Sequence, residues 1–279
     1  MRLAKTLARQ VLPKPAFETL KAVQRRVAFL KKSGFSEEEG TIRRYLEALP
    51  LTNKYCVDIG AQDGVSGSQT AALFKNGWTG IAVEGDPAMF AVLSRLYHGL
   101  RSVHLARALV SPDNVVSLLT SYSCPEDFSF LSLDIDGYDY FVLEQILASF
   151  RPRLICVEIN ETIPPPLVFT VKFDPQHAWR GDHFQGQSIC KCHELCVRHG
   201  YDIVELLYNN LFIVPREINS YRALRPEEAY DAGYRNRPDR AAKFPWNVDM
   251  EAVLTMSRLE AIDFLNDKFA RYAGQYVLE

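Results

Sequence analysis

Short apolar runs, separated by polar segments that contain glycine, recur through the middle of this chain. Five of these runs are rich in β-branched and aromatic residues, which is typical of buried strands. They cover residues 55–59, 79–83, 102–110, 130–133 and 153–160. Segments with capping signals or helical spacing alternate with them and predict helices over residues 36–49, 66–75, 89–97 and 188–200. This alternation of strands and helices predicts an α/β fold built on a parallel sheet.

The last strands of the pattern are arranged differently. Residues 201–207 and 211–214 flank the turn Tyr208-Asn209-Asn210, which predicts an antiparallel hairpin. Beyond it, residues 216–246 are rich in Arg, Pro and Tyr and predict irregular structure, and residues 248–272 predict one amphipathic helix. We therefore divide the chain into a helical extension (1–50), a central domain (51–215) and a helical appendage (216–279) that covers a pocket or forms a homo-oligomer contact.

Residues 1–33 differ in charge from the rest. They carry nine Lys or Arg residues and a single acidic residue, Glu18, with apolar residues at helical spacing. A basic amphipathic helix of this kind either packs on the domain with its charged face in water or lies on an anionic membrane surface. The membrane interpretation predicts binding to anionic vesicles that disappears when residues 1–33 are deleted.

Composition narrows the class of protein. The 279 residues are 47% hydrophobic and 24% charged, as in ordinary globular proteins, and the net charge of -2 gives no reason to expect nucleic acid binding. No apolar run reaches the ~20 residues of a membrane span, and no apolar core of signal-peptide type follows the basic start. Without a secretory signal, the six cysteines are expected to be reduced thiols in a cytoplasmic protein.

The turn after the first strand is a candidate nucleoside site. The strand ends in Gly60-Ala61-Gln62-Asp63-Gly64, and the next strand ends at Glu84-Gly85-Asp86, about twenty positions beyond the turn. Glycines let the backbone approach a ligand closely, and a carboxylate can accept hydrogen bonds from both ribose hydroxyls. A dinucleotide fingerprint requires a second glycine where Gln62 stands, which argues against a pyrophosphate ligand such as NAD.

Two further strands also end in polar residues. Asp134 and Asp136 follow the strand at 130–133 and share one side if that strand persists, and Glu158 and Asn160 end the strand at 153–160. Adjacent parallel strands would bring the two groups together. Three interpretations stay open: a Mg²⁺ site, a carboxylate that acts as general base, and residues that only cap loops and hold a cofactor.

A long loop, residues 161–188, leaves the sheet at the same edge. Loops of this length are commonly lids or binding loops. An imidazole from His177 or His183 can take a proton from a substrate hydroxyl, and Trp179 with Arg180 can hold a sugar or a planar acceptor. The alternative for each histidine is an ordinary surface position. We favour His183, because it lies nearer the return of the chain into Gln187 and Ser188.

Taken in order, these motifs resemble the FkbM-type class I methyltransferases. The matching segments are D-I-G-A-Q-D-G-V-S-G-S-Q-T, L-S-L-D-I-D-G-Y-D-Y, V-E-I-N, G-Q-S, G-Y-D-I-V and N-N-L-F-I-V, within residues 51–215. The resemblance implies a Rossmann-like fold with a mostly parallel seven-stranded sheet, a closing antiparallel hairpin and helices on both faces. It also implies S-adenosylmethionine (SAM) as cofactor and methyl transfer to a hydroxyl of a sugar, a glycan or a secondary metabolite.

The resemblance assigns roles to individual residues. Asp58 would face the amino group of the cofactor and Glu84 would bind its ribose. The full set of implied cofactor residues is Asp58, Gly60, Ala61, Asp63, Gly64, Ser68, Glu84 and Gly85. By likeness to the magnesium-dependent O-methyltransferases, Asp134, Glu158 and Asn160 would be metal ligands, although the spacing E-x-N departs from their adjacent acid and amide.

The candidates for catalysis are Asp134, Asp136, His177 and His183. Two other classes of function remain open. One is an NAD-dependent oxidoreductase, and the other is a non-catalytic module that binds a nucleoside and serves as a scaffold at a membrane.

Overall fold

The fold is taken from a computed structural model that describes residue 27, residues 36–177 and residues 179–279. The predictions for residues 1–33 therefore lie outside the described residues, apart from Val27. Among the described residues, no helix combines the length and the apolar character needed to cross a membrane.

Seven strands form the central sheet, in the order β3-β2-β1-β4-β5-β8-β7. The first five in the chain, β1 to β5, pair in parallel, and β8 pairs antiparallel with both β5 and β7. The strands are β1 (Tyr55–Ile59), β2 (Thr79–Glu84), β3 (Val103–Arg107), β4 (Phe130–Leu133), β5 (Leu154–Glu158), β7 (Tyr201–Leu207) and β8 (Asn210–Pro215). The predicted parallel sheet and its closing hairpin are confirmed.

A separate two-stranded antiparallel sheet joins β6 (Phe169–Val171) to β9 (Tyr276–Leu278).

The α-helices are α1 (Glu37–Ala48), α2 (Ala71–Lys75), α3 (Pro87–Tyr97), α4 (Val115–Ser121), α5 (Asp139–Ser149), α6 (Ile189–His199), α7 (Pro226–Tyr230), α8 (Arg240–Lys243) and α9 (Arg258–Lys268). All five residues of β1 are buried. Because alternate side chains of a strand point to opposite faces, both faces of the sheet are covered.

Local signals explain where several helices begin and end. Ser36 and Glu39 form the predicted capping box at the start of α1. Asp86 accepts hydrogen bonds from the N–H groups of Ala88 and Met89, both at 2.8 Å, so α3 begins at Pro87, two residues before the predicted start. Gly200 ends α6 in the left-handed conformation, with φ +68°.

Some predicted boundaries are wrong. The helix predicted over residues 66–75 is shortened to α2, because Gly67 has a φ of +69° and interrupts helical geometry. The strands predicted over 102–110 and 153–160 are the shorter β3 and β5. Their last predicted residues leave the sheet and follow its carboxyl edge.

The appendage differs most from its prediction. Instead of one helix over residues 248–272, the chain forms a 3₁₀ segment (Pro245–Thr255), then α9, then a 3₁₀ turn (Ala270–Tyr272). Residues 216–246 also contain helix, α7 and α8, where irregular structure was predicted. Tyr230, Tyr234 and Phe244 are buried in the same core as the central sheet.

A second apolar cluster fastens the long loop to the end of the chain. Phe184 stacks on Tyr272, with ring centroids 3.8 Å apart and planes at 7°. The Tyr272 hydroxyl donates to Asp182 at 2.6 Å, and Arg271 forms an ion pair with the same carboxylate. Together with the β6–β9 pairing, these contacts hold residues 161–188 against the appendage.

We expect the Tyr272→Ala variant to be about 3 kcal/mol less stable, because truncating a buried aromatic side chain removes contacts and leaves a cavity. For a chain of 279 residues that corresponds to a fall in Tm of roughly 5 °C. Tyr272→Phe is the matched control, since it keeps the stacked ring and loses only the hydrogen bond to Asp182. Equal melting temperatures for the two variants would show that the stack does not stabilise the fold.

Candidate active site at the carboxyl edge of the sheet

The bend after β1 is shaped by close contact between two backbones. Gly60 has a φ of +88°, and a Cβ at this position would lie 1.6 Å from the backbone oxygen of Asp134. The N–H groups of Gly60 and Ala61 both donate to the carbonyl of Val83 at 3.0 Å. The bend is therefore joined to the ends of β2 and β4, and only glycine fits at position 60.

Glu84, the last residue of β2, is buried and fixed by two backbone donors. Its Oε2 accepts from the N–H of Gln62 at 2.7 Å, and its Oε1 accepts from the N–H of Asp86 at 2.6 Å. Gln62 itself has a φ of +47°. An ionised carboxylate has about four acceptor positions. Glu84 is thus held in one orientation and keeps acceptor positions for a ligand.

A cavity of about 430 Å³ opens beside Glu84. Its volume is within the ~300–1,000 Å³ typical of small-ligand sites. Four carboxylates line it, those of Glu84, Asp86, Asp134 and Asp136. The other wall residues include Gly60, Gln62, Gly85, Met89, Ala108, Leu109, Val110, Tyr138, His177 and Trp179.

A smaller cavity of about 140 Å³ adjoins it on the far side of Gly60 and Gln62. Asp58, Ala61 and Ser68 line this cavity, as does Asp134. Among the described residues that line the two cavities, none is Lys or Arg. The field in both cavities is therefore negative and favours a positively charged ligand.

Asp58 is the buried carboxylate of the smaller cavity. The hydroxyl of Thr70 donates to its Oδ2 at 2.5 Å. Burial raises the pKa of Asp58 to about 6, and the negative charge of Asp134 acts in the same direction, whereas the Thr70 hydrogen bond opposes the rise. Ionised Asp58 is thus electrostatically unsatisfied and would be stabilised by a cationic group.

Two of the predicted cofactor residues have other surroundings. The Asp63 carboxylate accepts from the N–H groups of Val65 and Ser66, at 2.9 and 2.7 Å, within its own loop. A Cβ on Gly64 would lie 2.5 Å from the Leu93 side chain, so this glycine allows the loop to pack on α3. Neither residue lines the two cavities. In the structure they shape the bend and do not face its ligand side.

Three carboxylates come together at the ends of β4 and β5. Oxygen atoms of Asp134, Asp136 and Glu158 lie within 4.8 Å of one another. The sequence interpretation required the strand to continue as far as Asp136, and it does not. β4 ends at Leu133, and Asp136 has a φ of +53°. A left-handed turn, rather than strand alternation, brings Asp136 to Asp134.

Burial and mutual repulsion change how this group ionises. Burial raises the pKa of Asp134 to about 6, with a further contribution from the charge of Asp136. Burial, followed by the charge of Asp134, raises the pKa of Glu158 well above its ordinary value. Burial and the neighbouring carboxylates therefore favour the neutral form of Glu158.

Asn160, a predicted metal ligand, uses both atoms of its side-chain amide in hydrogen bonds to residues of the long loop. Its Oδ1 accepts from both the N–H and the hydroxyl of Thr162, at 3.2 and 2.6 Å. Its Nδ2 donates to the carbonyls of His183 and Gln185. The amide is buried and serves to hold the start and the end of the long loop together.

The two histidines of the long loop have different surroundings. His183, the favoured candidate, is not among the residues that line the cavity, and its Nε2 lies 2.9 Å from Oδ1 of Asp249 in the appendage. His177 lines the larger cavity beside Trp179. Its buried Nε2 has no hydrogen-bond partner among the described residues. His177 is therefore the histidine that a ligand in this cavity would meet.

Sequence reasoning missed a chain of side-chain hydrogen bonds below the site. The Ser132 hydroxyl donates to Gln69 Oε1 at 3.0 Å, and Gln69 Nε2 donates to Asn210 Oδ1 at 2.8 Å. Asn210 Nδ2 lies 3.4 Å from Asn209 Oδ1, and Asn209 Nδ2 donates to Glu158 Oε1 at 2.6 Å. In the sequence, Asn209 and Asn210 indicated only the turn of the hairpin. Nothing local in a turn shows that its amides will bond to distant side chains.

Comparison with known proteins shows similarity in fold only. No family profile matches the sequence, and a sequence search of curated proteins finds no relative. The N-terminal domain of EvdMO1, solved with S-adenosylhomocysteine (SAH) bound, is 13% identical, with 68% of this chain and 82% of that chain covered and a TM-score of 0.45. An O-methyltransferase from Bacillus cereus in complex with SAH is 13% identical, with 76% and 96% covered and a TM-score of 0.41.

A third solved structure, described as a putative O-methyltransferase from Klebsiella pneumoniae, is 12% identical, with 77% of this chain and 96% of that chain covered and a TM-score of 0.41. The fold class follows from the strand order of this chain. Five parallel strands and a closing antiparallel hairpin, ordered β3-β2-β1-β4-β5-β8-β7, form a Rossmann-like α/β fold.

Proposed function

We propose that this chain is a SAM-dependent O-methyltransferase that transfers a methyl group to a hydroxyl of a sugar, a glycan or a secondary metabolite. One observation carries the proposal. A fixed carboxylate, Glu84, lines the larger of two adjoining cavities, and the described residues that line the two cavities include acids but no Lys or Arg. SAM carries a sulfonium and an ammonium group, so its charge suits this site.

The same charge disfavours the NAD-dependent alternative. A dinucleotide would bring a pyrophosphate with two negative charges against Glu84, Asp86 and Asp134, and none of the described residues that line the cavity is a Lys or Arg that could offset them. Gln62 also occupies the position at which that ligand class requires glycine. Calorimetric titration with SAH and with NAD⁺ tests the choice: we expect SAH to bind and NAD⁺ to give no heat. Binding of NAD⁺ in preference to SAH would overturn the proposal.

We place SAM across the two cavities, with its nucleoside in the larger cavity and its methionine part in the smaller one. The ribose hydroxyls would bind Glu84, and the base would lie against Ala108, Leu109 and Val110, which follow β3. The methionine part would enter the smaller cavity, with its ammonium group facing Asp58. The sulfonium then lies near Asp134, which lines both cavities.

Cofactor affinity should depend on pH through Asp58. With its pKa raised to about 6, this carboxylate is ionised above that pH and neutral below it. We expect the affinity for SAH to fall as pH drops below 6, by at most about tenfold per pH unit, because the neutral acid no longer attracts the ammonium group. Calorimetry at pH 7.5, 6 and 5 measures the effect. The Asp58→Asn variant should bind weakly at all three values, and an unchanged pH dependence in that variant would exclude Asp58.

We infer a direct displacement. The acceptor oxygen attacks the methyl carbon, an O–C bond forms, and the S–C bond breaks with its electron pair left on sulfur, which becomes neutral in SAH. The hydroxyl proton passes to the Asp134 carboxylate, which lines both cofactor cavities. Because the sulfonium carbon is already activated, alignment of the two reacting atoms supplies much of the remaining rate enhancement.

Magnesium fits this edge of the sheet in part. Asp134, Asp136 and Glu158 offer the hard oxygen ligands that Mg²⁺ prefers, whereas the predicted third ligand, Asn160, is bound to Thr162. If Mg²⁺ binds, these three carboxylates would hold it, and it would lower the pKa of the acceptor hydroxyl.

We expect methyl transfer to survive exhaustive chelation, because Asp134 can accept the proton without a metal. The measurement is SAH release in a screen of hydroxyl acceptors, run with chelator and with added Mg²⁺. Activity that vanishes with the chelator and returns with Mg²⁺ would assign the three carboxylates to a metal instead.

A further inference from the structure

A third cavity meets Asp134 from the side of the β7–β8 turn. It has a volume of about 360 Å³, within the range of small-ligand sites. Asp134 lines this cavity as well as the two assigned to the cofactor. A molecule in the third cavity would therefore come closest to the sulfonium at Asp134. From this cavity, an acceptor can reach the methyl group without displacing the nucleoside.

Among the residues that the structure describes, the wall of this cavity is polar and has no aromatic ring. Eight described residues line it, and only Val65 and Gly67 lack a polar side chain. The polar residues are Ser36, Glu38, Gln69, Asp134, Asn209 and Asn210. Among these described residues, an aromatic acceptor would find no ring to stack on, and an anionic acceptor would find two carboxylates and no Lys or Arg. Amides both donate and accept hydrogen bonds, as the hydroxyl groups of a neutral polyol require.

The amides are held in place before any ligand arrives. The hydrogen-bond chain from Ser132 through Gln69, Asn210 and Asn209 ends on Glu158 and uses only part of the capacity of each amide. Each side-chain amide has two N–H donors and an oxygen with two lone pairs, so several positions remain for a ligand. Groups already ordered lose little conformational entropy on binding.

The rim on the α1 side is also fixed. Ser36 is the cap of α1, and Glu38 pairs with Lys243 of α8 at 2.8 Å. The appendage therefore supports one wall of the cavity through α1. Glu38 has one oxygen in this ion pair, and the carboxylate can accept further hydrogen bonds from hydroxyl groups.

We propose that this third cavity, lined by Ser36, Glu38, Gln69, Asn209 and Asn210, is the acceptor subsite for a neutral, hydroxyl-rich molecule of the carbohydrate class. The proposal rests on the proposed function, because it takes Asp134 as the residue that faces both cofactor and acceptor. The hydroxyl to be methylated would lie at Asp134, and the remaining hydroxyls would bind the amides and Glu38.

The test uses the full chain loaded with SAH and a panel of methyl hexopyranosides, with simple phenols as the competing class. Binding is followed by saturation-transfer NMR and titration. We expect a hexopyranoside to bind, and Asn210→Ala to weaken its affinity about tenfold while SAH affinity stays within about twofold, since Asn210 lines only the third cavity among those described. Asn76→Ala, an exposed amide outside this cavity, is the matched control and should behave as wild type.

Glu38→Ala provides a second variant, because its ion pair with Lys243 is partly exposed and its loss should be tolerated by the fold. It should also weaken hexopyranoside binding. Three results would overturn the proposal while SAH still binds: no hexopyranoside binds, phenols bind in their place, or both variants bind the hexopyranoside as tightly as wild type. Failure of SAH itself to bind would instead overturn the proposed function.

Discussion

Replacing Glu84 by alanine is expected to weaken SAH binding by at least about 100-fold. Hydrogen bonds to a charged group contribute about 1.5–3 kcal/mol each, and the variant loses two of them to the ribose. Every 1.4 kcal/mol corresponds to about tenfold in affinity. The variant also frees the N–H groups of Gln62 and Asp86, which Glu84 holds at 2.7 and 2.6 Å. Calorimetric titration with SAH measures the loss.

The controls must show whether a loss of affinity comes from lost contacts to the ribose or from disruption of the bend after β1. Asp113→Ala removes an exposed acid outside the cavity and should leave affinity unchanged. The 2′-deoxy analogue of SAH provides a second comparison: wild type should prefer SAH to this analogue, whereas Glu84→Ala should bind the two nearly equally. If the variant keeps the full preference for the 2′-hydroxyl, Glu84 does not bind the ribose, and the proposed placement of the cofactor is wrong.

The parallel sheet could be predicted because its strands are buried on both faces. Such strands appear in a sequence as unbroken apolar runs, and residues 55–59 and 130–133 match β1 and β4 without correction. The appendage could not be predicted in the same way, since its short helices have no long periodic pattern. One signal was available: Ser257 and Glu260 form a capping box, and this cap divides the single helix predicted over 248–272.

The candidate site was predicted where its contacts are local in sequence. Asp58, Gly60 and Glu84 end strands at the edge where ligands bind in α/β folds, so their position followed from the pattern. The sequence could not distinguish the surroundings of the two histidines, because distant contacts decide them. His183 is held by Asp249, 66 positions away, whereas His177 remains in the cavity. The role of Asn209 and Asn210 also depends on partners far along the chain, Glu158 and Gln69.

Asp134→Asn is expected to lower kcat by about 10³-fold while the affinity for SAH stays within about threefold. General bases contribute roughly 10²–10⁴-fold to rate, and an amide cannot accept the hydroxyl proton. SAH has a neutral sulfur, so its binding should respond little to the charge at position 134. The measurement is turnover with the best acceptor from the hydroxyl screen, together with calorimetry on SAH.

Asp136→Asn is the matched control for this prediction. Asp136 lies in the same carboxylate group, but it lines the larger cavity only, whereas Asp134 lines all three. Asparagine also tolerates the left-handed φ of +53° at this position. If Asp134 is the base, Asp136→Asn should lose less than about tenfold in kcat. Equal losses in the two variants, both dependent on added Mg²⁺, would mean that the carboxylates act together as metal ligands and that neither alone receives the proton.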